Sequence, residues 1–210
     1  MKTRPSRKPK LIERTADRHD FQEIIELSRI CFPNNDPWTY AMLDSQFKLF
    51  SEGMQVIEYE GKIVGSASSL IISWDEYDDD HSWKEICDNG FITNHEDEGD
   101  TLYGIEVMVH PDYQGLKIGR RLYEMRKTLA IERNLQRILI GGRVPNFHKH
   151  SDNFGIRAYV KRVIDKKIKD PVVTFQLSQG FNITRIIKDY LPEDKESEGY
   201  ALLLEWINLD

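Results

Sequence analysis

The chain has 210 residues, a formal net charge of −6, and 30% charged and 40% hydrophobic side chains. This composition suits a folded domain with its own core. The negative charge argues against nucleic acid as the main ligand, because phosphate binding needs a basic surface. No apolar run approaches the roughly 20 residues that cross a bilayer, so we expect no membrane partner. Cys31 and Cys87 form no CxxC pair, which predicts no disulfide framework and a cytoplasmic location.

The first part of the chain reads as a tail followed by a strand and two helices. Residues 1–10 are basic and proline-containing, and they predict a flexible tail before a domain that covers 11–210. A short strand is expected over 11–14. Helical spacing of apolar residues then runs from Asp17 to Pro33. We expect Asp36-Pro37 to cap a second helix that ends at Gly53.

The middle of the chain combines strands, one long helix and an insertion. A tight turn at Glu60-Gly61 joins two predicted strands. Residues 74–100 are too long and too aromatic for a plain connection. A strand over 102–111 ends at Pro111, an amphipathic helix covers 116–133, and the apolar segment 137–142 predicts a buried strand.

The last part contains a second insertion over 144–169, which holds a helix-like stretch. Asp170-Pro171 is expected to cap a short helix, with Gly180 at its C-terminal end. Two closing strands follow, over 181–187 and 200–207. This order predicts a single α/β domain, in which helices flank a mixed central sheet that carries two long insertions.

A phosphate-binding turn is indicated where the strand over 102–111 leads into the long helix. The sequence VHPDYQGLKIG runs from Val109 to Gly119. Backbone N–H groups from Gln114 through Arg120 can surround a pyrophosphate, helped by the helix dipole. Gly115 and Gly119 remove side chains where such a ligand must come close.

The pattern V-x-P-x-x-Q-x-x-x-x-G resembles motif A of the GNAT superfamily of acetyl-CoA-dependent N-acetyltransferases, and QLSQGF at 176–181 resembles a short late helix of that fold. The resemblance implies a GNAT-like fold with acetyl-CoA as the cofactor. It also implies backbone hydrogen bonds to the pantetheine arm from Val107, Met108 and Val109. The implied pyrophosphate site consists of Gln114, Gly115, Leu116, Lys117, Ile118, Gly119 and Arg120.

Longer phrases such as LYGIEVMVHPDYQGLKIGRRLYEMRK, IGGRVPN and DPVVTFQLSQGF resemble something narrower. They are similar to the acetyltransferase domain that precedes a carbon–nitrogen hydrolase (nitrilase-like) domain in some bacterial two-domain proteins. This resemblance implies such a hydrolase domain as a partner. The sequence leaves the oligomeric state open, a homodimer included.

Lys117 departs from the family pattern, which has glycine at this position. Its amide can still donate if the φ angle is negative, and its ammonium group can pair with a phosphate. The alternative is that Lys117 points into solvent, and the sequence does not decide between the two. Arg120 and Arg121 lie at the positive end of the helix dipole, which is unfavourable unless an anion binds there.

Glu106 is the candidate catalytic base. It lies on the strand over 102–111, in phase with Met108, where a carboxylate in an apolar setting is costly unless it is paired or functional. A desolvated glutamate with a raised pKa suits removal of a proton from an attacking amine. The alternative is a structural glutamate paired with Arg143 or another cation.

The proton donor for the departing thiolate is not evident. In many members of the resembled family a tyrosine supplies it, but the corresponding residue here is Gln176, which cannot act as an acid. Tyr159, Tyr190, His148 or water can substitute on chemical grounds alone. The family's usual Asn at the start of that helix is also absent, with Lys169 at its position.

The two clusters that resemble metal ligands are weak. The segments 148–152 and 78–81 lack the spacing of known sites, and solvated loops explain them, so no metal is expected. Residues 74–100 and 144–169 are expected to build the acceptor pocket. The acidic side chains at 75–80 either attract a cationic acceptor or only keep the loop soluble.

The resulting hypothesis is transfer of an acetyl group from acetyl-CoA to a primary amine by direct attack. The acceptor is a small molecule or a lysine side chain, and the sequence does not identify it. The alternative is a non-catalytic acyl-CoA-binding domain that regulates a carbon–nitrogen hydrolase. Lys117 and Gln176 favour this alternative, whereas Glu106 favours catalysis.

Overall fold

The computed structural model describes residues 10–77 and 80–209. Seven strands form one sheet in the order β1-β2-β3-β4-β5-β7-β6. Their bounds are Leu11–Thr15 (β1), Gln55–Tyr59 (β2), Lys62–Ile72 (β3), Thr101–Val109 (β4), Arg137–Arg143 (β5), Asn182–Ile187 (β6) and Ala201–Ile207 (β7). The predicted α/β class and mixed central sheet are confirmed. The expected basic tail lies outside the described residues except for Lys10.

Six α-helices flank this sheet in the described part of the chain. They are Phe21–Cys31 (α1), Tyr40–Phe50 (α2), Trp83–Ile86 (α3), Ile118–Glu132 (α4), Ile156–Ile164 (α5) and Pro171–Ser178 (α6). Asp170 caps α6 as predicted, because its side chain accepts from the N–H groups of Val172 and Val173. Within residues 10–77 and 80–209, every helix is too short or too polar to cross a membrane.

Apolar side chains cover both faces of the sheet. On one face, α4 packs Ile118 and Leu122 against Val64 and Ala67 of β3. On the other face, α1, α2 and the 74–100 insertion enclose a larger core that includes Met108 of β4. Strand β4 is therefore buried from both sides, which explains why its sequence is almost continuously apolar.

The sheet opens between β4 and β5. These two strands run parallel and pair only from Thr101 with Arg137 to Gly104 with Ile140. Beyond Gly104, β4 continues to pair with β3, and β5 pairs with β7 along its whole length. Among the residues that the structure describes, one edge of β4 therefore has no neighbouring strand over 105–109, and a gap forms in the middle of the sheet.

The predicted start of the second helix is wrong. Helix α2 begins at Tyr40, capped by the Thr39 side chain, and Asp36-Pro37 lies in the preceding loop. The Trp38 side chain is buried, and its backbone N–H donates to the hydroxyl of Ser28. Because this anchoring draws the loop toward the gap in the sheet, the helix starts after Trp38.

Candidate active site

A cavity of about 1120 Å³ fills the gap between β4 and β5. Its walls come from the open part of β4, the end of β5, the N-terminal turn of α4, helix α6, the α1–α2 loop and part of the 74–100 insertion. It thus joins the predicted phosphate-binding turn to the predicted base, Glu106.

Glu106 lines this cavity from the α1 face of β4. The hydroxyl of Ser66 donates to its Oε1 at 3.3 Å. Its Oε2 is buried and has no hydrogen-bond partner among the described residues. A buried carboxylate oxygen without a donor is costly, so this atom is a strong site for a proton or a ligand N–H group.

Burial raises the pKa of Glu106 to about 8. The positive charge of Arg126 and polar contacts from Ser66 and Trp38 oppose this rise but do not cancel it. A carboxyl group that titrates near neutral pH can accept a proton from an amine and release it again.

Arg126 is a buried arginine that the sequence did not single out. Strand β4 has a bulge at Ile105, because Ser68 pairs with Glu106 whereas Ser69 pairs with Gly104. Arg126 reaches from α4 and donates to the carbonyl oxygens of Ser68 and Glu106 at 3.0 and 2.8 Å. It therefore holds the bulge that directs Glu106 into the cavity. A lone arginine on an amphipathic helix gives no sequence signal for this role.

Gly104 makes room for that arginine. A Cβ atom at Gly104 would lie 2.6 Å from the guanidinium carbon of Arg126. Burial lowers the pKa of Arg126, while the nearby Glu106 and Tyr123 oppose this change. The positive charge thus remains close to the base without forming a direct ion pair.

The alternative pairing of Glu106 with Arg143 is wrong. Arg143 instead donates two hydrogen bonds of 2.6 Å to the carboxylate of Asp194, and a third of 3.1 Å to Glu196. Although burial opposes it, this contact lowers the pKa of Asp194. The ion pair fixes the chain after β6 against β5, and so Arg143 supports the cavity wall.

The turn before α4 has the shape of an anion site. Gly115 has φ +90° and Lys117 has φ +61°, so both residues adopt the left-handed conformation. The condition of a negative φ at Lys117 is therefore not met, which explains why glycine is the easier residue there. The N–H of Arg121 is the first to bond back, to the carbonyl of Lys117. The N–H groups of Ile118, Gly119 and Arg120 lie in the first turn of α4 and have no acceptor within the helix.

The basic side chains at this turn differ in their partners. Arg121 pairs with Glu13 of β1, which offsets its unfavourable position at the helix dipole. Arg120 is exposed and lies 4.0 Å from Glu124. Gly119 packs close to Phe175 of α6, since a Cβ atom there would lie 3.3 Å from the Phe175 ring. This contact joins the turn to the far wall of the cavity.

The open edge of β4 presents backbone groups to the cavity. The Ile105 carbonyl accepts from the indole N–H of Trp83 at 3.0 Å, and the Val109 carbonyl lies 3.4 Å from the Cys31 thiol. Backbone groups of alternate residues face the same edge, so those of Val107 lie between these two. Met108 instead faces its partner Ser66 on β3. An extended ligand can therefore hydrogen-bond along this edge at Val107.

Of the three alternative proton donors, one lines the cavity. Tyr159 donates to Asp170 at 2.7 Å, and His148 is exposed beside the Glu196 carbonyl, so both lie away from the cavity. Tyr190 is buried in the cavity wall. Gln176 also lines it and donates to the Tyr123 hydroxyl at 3.2 Å, while its Oε1 has no described partner.

The wall opposite the phosphate-like turn differs from the expected acceptor pocket. The 74–100 insertion contributes Trp83, Lys84 and Asn89, but residues 144–169 do not line the cavity. The α1–α2 loop, which the sequence did not suggest, supplies Phe32 and Trp38 instead. Asp78 and Asp79 of the acidic cluster lie outside the described residues.

In the described part of the chain, no group of three His, Cys, Asp or Glu side chains is arranged to hold a metal ion. In the 148–152 segment, His148 faces the Glu196 carbonyl and His150 stacks on Phe154. These two histidines thus have structural contacts.

Two proteins of Bacillus subtilis (strain 168) are similar to this chain over most of its length. The "Probable hydrolase YhcX" is 50% identical over 201 residues, which is 96% of this chain but 39% of that protein. The "Uncharacterized N-acetyltransferase YkwB" is 37% identical over 194 residues, which is 90% of this chain and 85% of that protein. The chain therefore spans well under half the length of the first relative and most of the second.

The fold is similar to that of a solved GNAT-like decarboxylase, GphF, in complex with isobutyryl-CoA. The TM-score is 0.81 at 22% identity, over 93% of this chain and 98% of that one. A model of the acetyltransferase (GNAT) family matches residues 21–151, from α1 through β5 and into the following segment. The chain therefore belongs to the acetyltransferase (GNAT) family.

Proposed function

We propose that the protein transfers an acetyl group from acetyl-CoA to a primary amine, with Glu106 as the general base. The observation that carries this proposal is that Glu106 lines the cavity, while its buried Oε2 has no hydrogen-bond partner among the described residues. A protonated amine that enters the cavity offers the missing donor. The carboxylate then takes a proton from the nitrogen, which frees its lone pair for attack on the acyl carbon.

The residues of the cavity fit coenzyme A. Its pyrophosphate suits the N–H groups of Ile118, Gly119 and Arg120, which are free at the first turn of α4, whereas those of Gln114 and Leu116 already donate to the carbonyls of Pro111 and Tyr113. The amide-bearing pantetheine arm suits the open edge of β4 at Val107, where backbone groups can pair with its amides. When bound, acetyl-CoA supplies the activated acyl group as a thioester.

The acceptor end suits an amine with an apolar stem. The rings of Trp38 and Trp83 have centroids 5.9 Å apart, and both line the cavity near Glu106. Lys84 pairs with Glu193 at 2.6 Å, so this lysine does not repel an incoming cation as strongly as an unpaired one would. Aromatic faces bind both methylene groups and ammonium groups.

The test is the release of free thiol from acetyl-CoA in the presence of a panel of amines, read with a thiol reagent. Isobutyryl-CoA serves as a second donor, because the similar GphF structure contains it. We expect amine-dependent thiol release that is lost in Glu106→Gln while calorimetric affinity for coenzyme A is retained. Thiol release without amine dependence would contradict transfer to an amine.

A second candidate is a non-catalytic acyl-CoA-binding domain that regulates a hydrolase. It is favoured by the 39% share of the hydrolase-named relative that this chain spans, and by Gln176 at the position of the family's tyrosine. In that case coenzyme A binds with ordinary affinity but no amine in the panel reacts. Binding without turnover therefore separates the two candidates.

A further inference from the structure

Three buried side chains form a hydrogen-bonded row that ends at the cavity. His81 Nε2 lies 2.8 Å from the Tyr103 hydroxyl, and the Tyr103 hydroxyl lies 3.1 Å from the Tyr190 hydroxyl. All three residues are almost fully buried, with exposed fractions of 4%, 0% and 3%. The row connects the 74–100 insertion, strand β4 and the segment after β6.

The fold makes specific room for the end of this row. Tyr190 lies over Gly141 of β5, where a Cβ atom would overlap its ring and hydroxyl. Gly141 follows Ile140, the last residue of β5 that pairs with β4. The Tyr190 hydroxyl is therefore positioned where the two strands separate and the cavity begins.

The hydrogen bonds of the row can all be donated in the same direction, from His81 toward the cavity. If Tyr190 donates into the cavity, its oxygen accepts from the Tyr103 hydroxyl. Tyr103 then accepts from His81, which carries a proton on Nε2 in that arrangement. Each hydroxyl donates once and accepts once, so the row can pass a proton toward the cavity.

We propose that Tyr190 is the acid that protonates the departing thiolate and that Tyr103 and His81 return a proton to it. This inference rests on the proposed function, in which the bond between the acyl carbon and sulfur breaks as the bond to nitrogen forms. Glu106 takes one proton from the amine, and Tyr190 gives one proton to sulfur. Tyr190 recovers its proton from Tyr103 and Tyr103 recovers its proton from Nε2 of His81, while His81 takes a proton from water at Nδ1 and stays neutral. The proton held by Glu106 passes to solvent, so the cycle closes.

The proposed role of Tyr190 supplies an acid that residue 176 cannot provide. Gln176 stands where a tyrosine acts in many members, and an amide is not an acid at neutral pH. Burial raises the pKa of Tyr190, and the contact with Tyr103 opposes that rise. The hydroxyl therefore stays protonated across the neutral range but is a weaker acid, so its transfer to sulfur depends on the hydrogen bond from Tyr103, which stabilises the tyrosinate.

The test compares Tyr190→Phe with Tyr159→Phe, whose hydroxyl is also buried and hydrogen-bonded but lies away from the cavity. The first readout needs no amine: the ultraviolet absorbance of the thiolate gives the pKa of the thiol of bound coenzyme A. A donor beside sulfur stabilises the thiolate, so the Tyr190→Phe complex should show a thiol pKa higher by about one unit. Tyr159→Phe should match the wild type.

The second readout is turnover. We expect kcat to fall about 10²-fold in Tyr190→Phe with little change in KM. The loss should shrink with an acetyl thioester of an acidic aromatic thiol, since that leaving group needs no proton. Tyr103→Phe, which interrupts the row but keeps Tyr190, should lower kcat by a smaller factor.

Two results would overturn the inference. One is a folded Tyr190→Phe variant whose bound thiol pKa and kcat both equal those of the wild type, which assigns Tyr190 to packing alone. The other is an unchanged kcat in Tyr103→Phe, which removes the relay. If the wild type transfers no acyl group while the bound thiol pKa still depends on Tyr190, the proposed function fails but the contact with sulfur holds.

Discussion

The Ser66 hydroxyl donates to one oxygen of Glu106 and leaves the other without a described partner. The two residues belong to neighbouring strands, and Ser66 fixes the direction of the carboxyl group by its contact with Oε1. Glu106 lines the cavity between β4 and β5, and its Oε2 is buried in the cavity wall. A side chain that is held by one oxygen and open at the other suits repeated proton transfer.

The first prediction concerns the pH dependence of catalysis. With the pKa of Glu106 at about 8, kcat/KM should rise roughly tenfold per pH unit below pH 8 and level off above it. The assay should use an acceptor amine of low pKa, so that the titration of the amine itself falls outside this pH range. Glu106→Gln should lower kcat by about 10²-fold or more and remove this dependence. A variant with the same profile as the wild type would move the base elsewhere.

The second prediction concerns stability and needs no substrate. The folded pKa of about 8 lies above the value of roughly 4.3 in an unfolded chain. Between these values the unfolded chain loses the proton while the folded protein keeps it. The contribution of Glu106 to stability is therefore full below about pH 4 and falls as the pH rises toward 8.

The Glu106→Gln variant lacks this titration. Its free energy of unfolding should therefore increase relative to that of the wild type as the pH rises from 4.5 to 8. Each unit of pKa difference corresponds to about 1.4 kcal/mol, which limits the relative gain to a few kcal/mol. Urea denaturation of both proteins at several pH values measures the difference. A constant difference across this range would mean that the pKa of Glu106 is ordinary.

The third prediction uses Lys117. A residue with a side chain pays about 1–2 kcal/mol to adopt the left-handed backbone conformation, and glycine avoids this strain. Part of the gain is lost because glycine also makes the unfolded chain more flexible and so stabilises the unfolded state. Lys117→Gly should therefore raise the unfolding free energy by roughly 0.5 kcal/mol. Lys117→Ala keeps the strained backbone and removes the ammonium group, so it should show no such gain.

The same pair of variants tests whether Lys117 contacts a phosphate. If it does, both variants should bind coenzyme A more weakly, and the salt dependence of binding should flatten. If the side chain points into solvent, both should bind with wild-type affinity. Isothermal titration at two salt concentrations distinguishes these outcomes.

The fourth prediction concerns Gly119. A glutamate there would bring negative charge to the first turn of α4 and bulk against Phe175, because even a Cβ atom added at Gly119 would lie 3.3 Å from the Phe175 ring. Gly119→Glu should abolish calorimetric binding of coenzyme A. Gly119→Ala adds bulk without charge and should weaken binding less. A folded Gly119→Glu variant of unchanged affinity would place the pyrophosphate elsewhere.

The order of elements could be predicted because it depends on local patterns. The alternation of apolar residues fixed the strands and helices, and the turn at Glu60-Gly61 and the cap at Asp170 have local chemistry. The glycine-containing turn before α4 and the position of Glu106 within an apolar strand could also be predicted from the sequence, whereas the catalytic role of Glu106 stays a prediction. These features involve residues close together in the sequence.

The partners of Glu106 and the acceptor wall were decided by the tertiary structure. Arg143 was one possible partner of Glu106, but it pairs with Asp194, which lies more than fifty residues later. The bulge at Ile105, the support from Arg126 and the approach of Trp38 follow from packing between elements that are distant in sequence. Hydrogen bonds and close packing act over a few ångströms in space, so local sequence patterns indicated the motifs and only the fold determined which side chains meet.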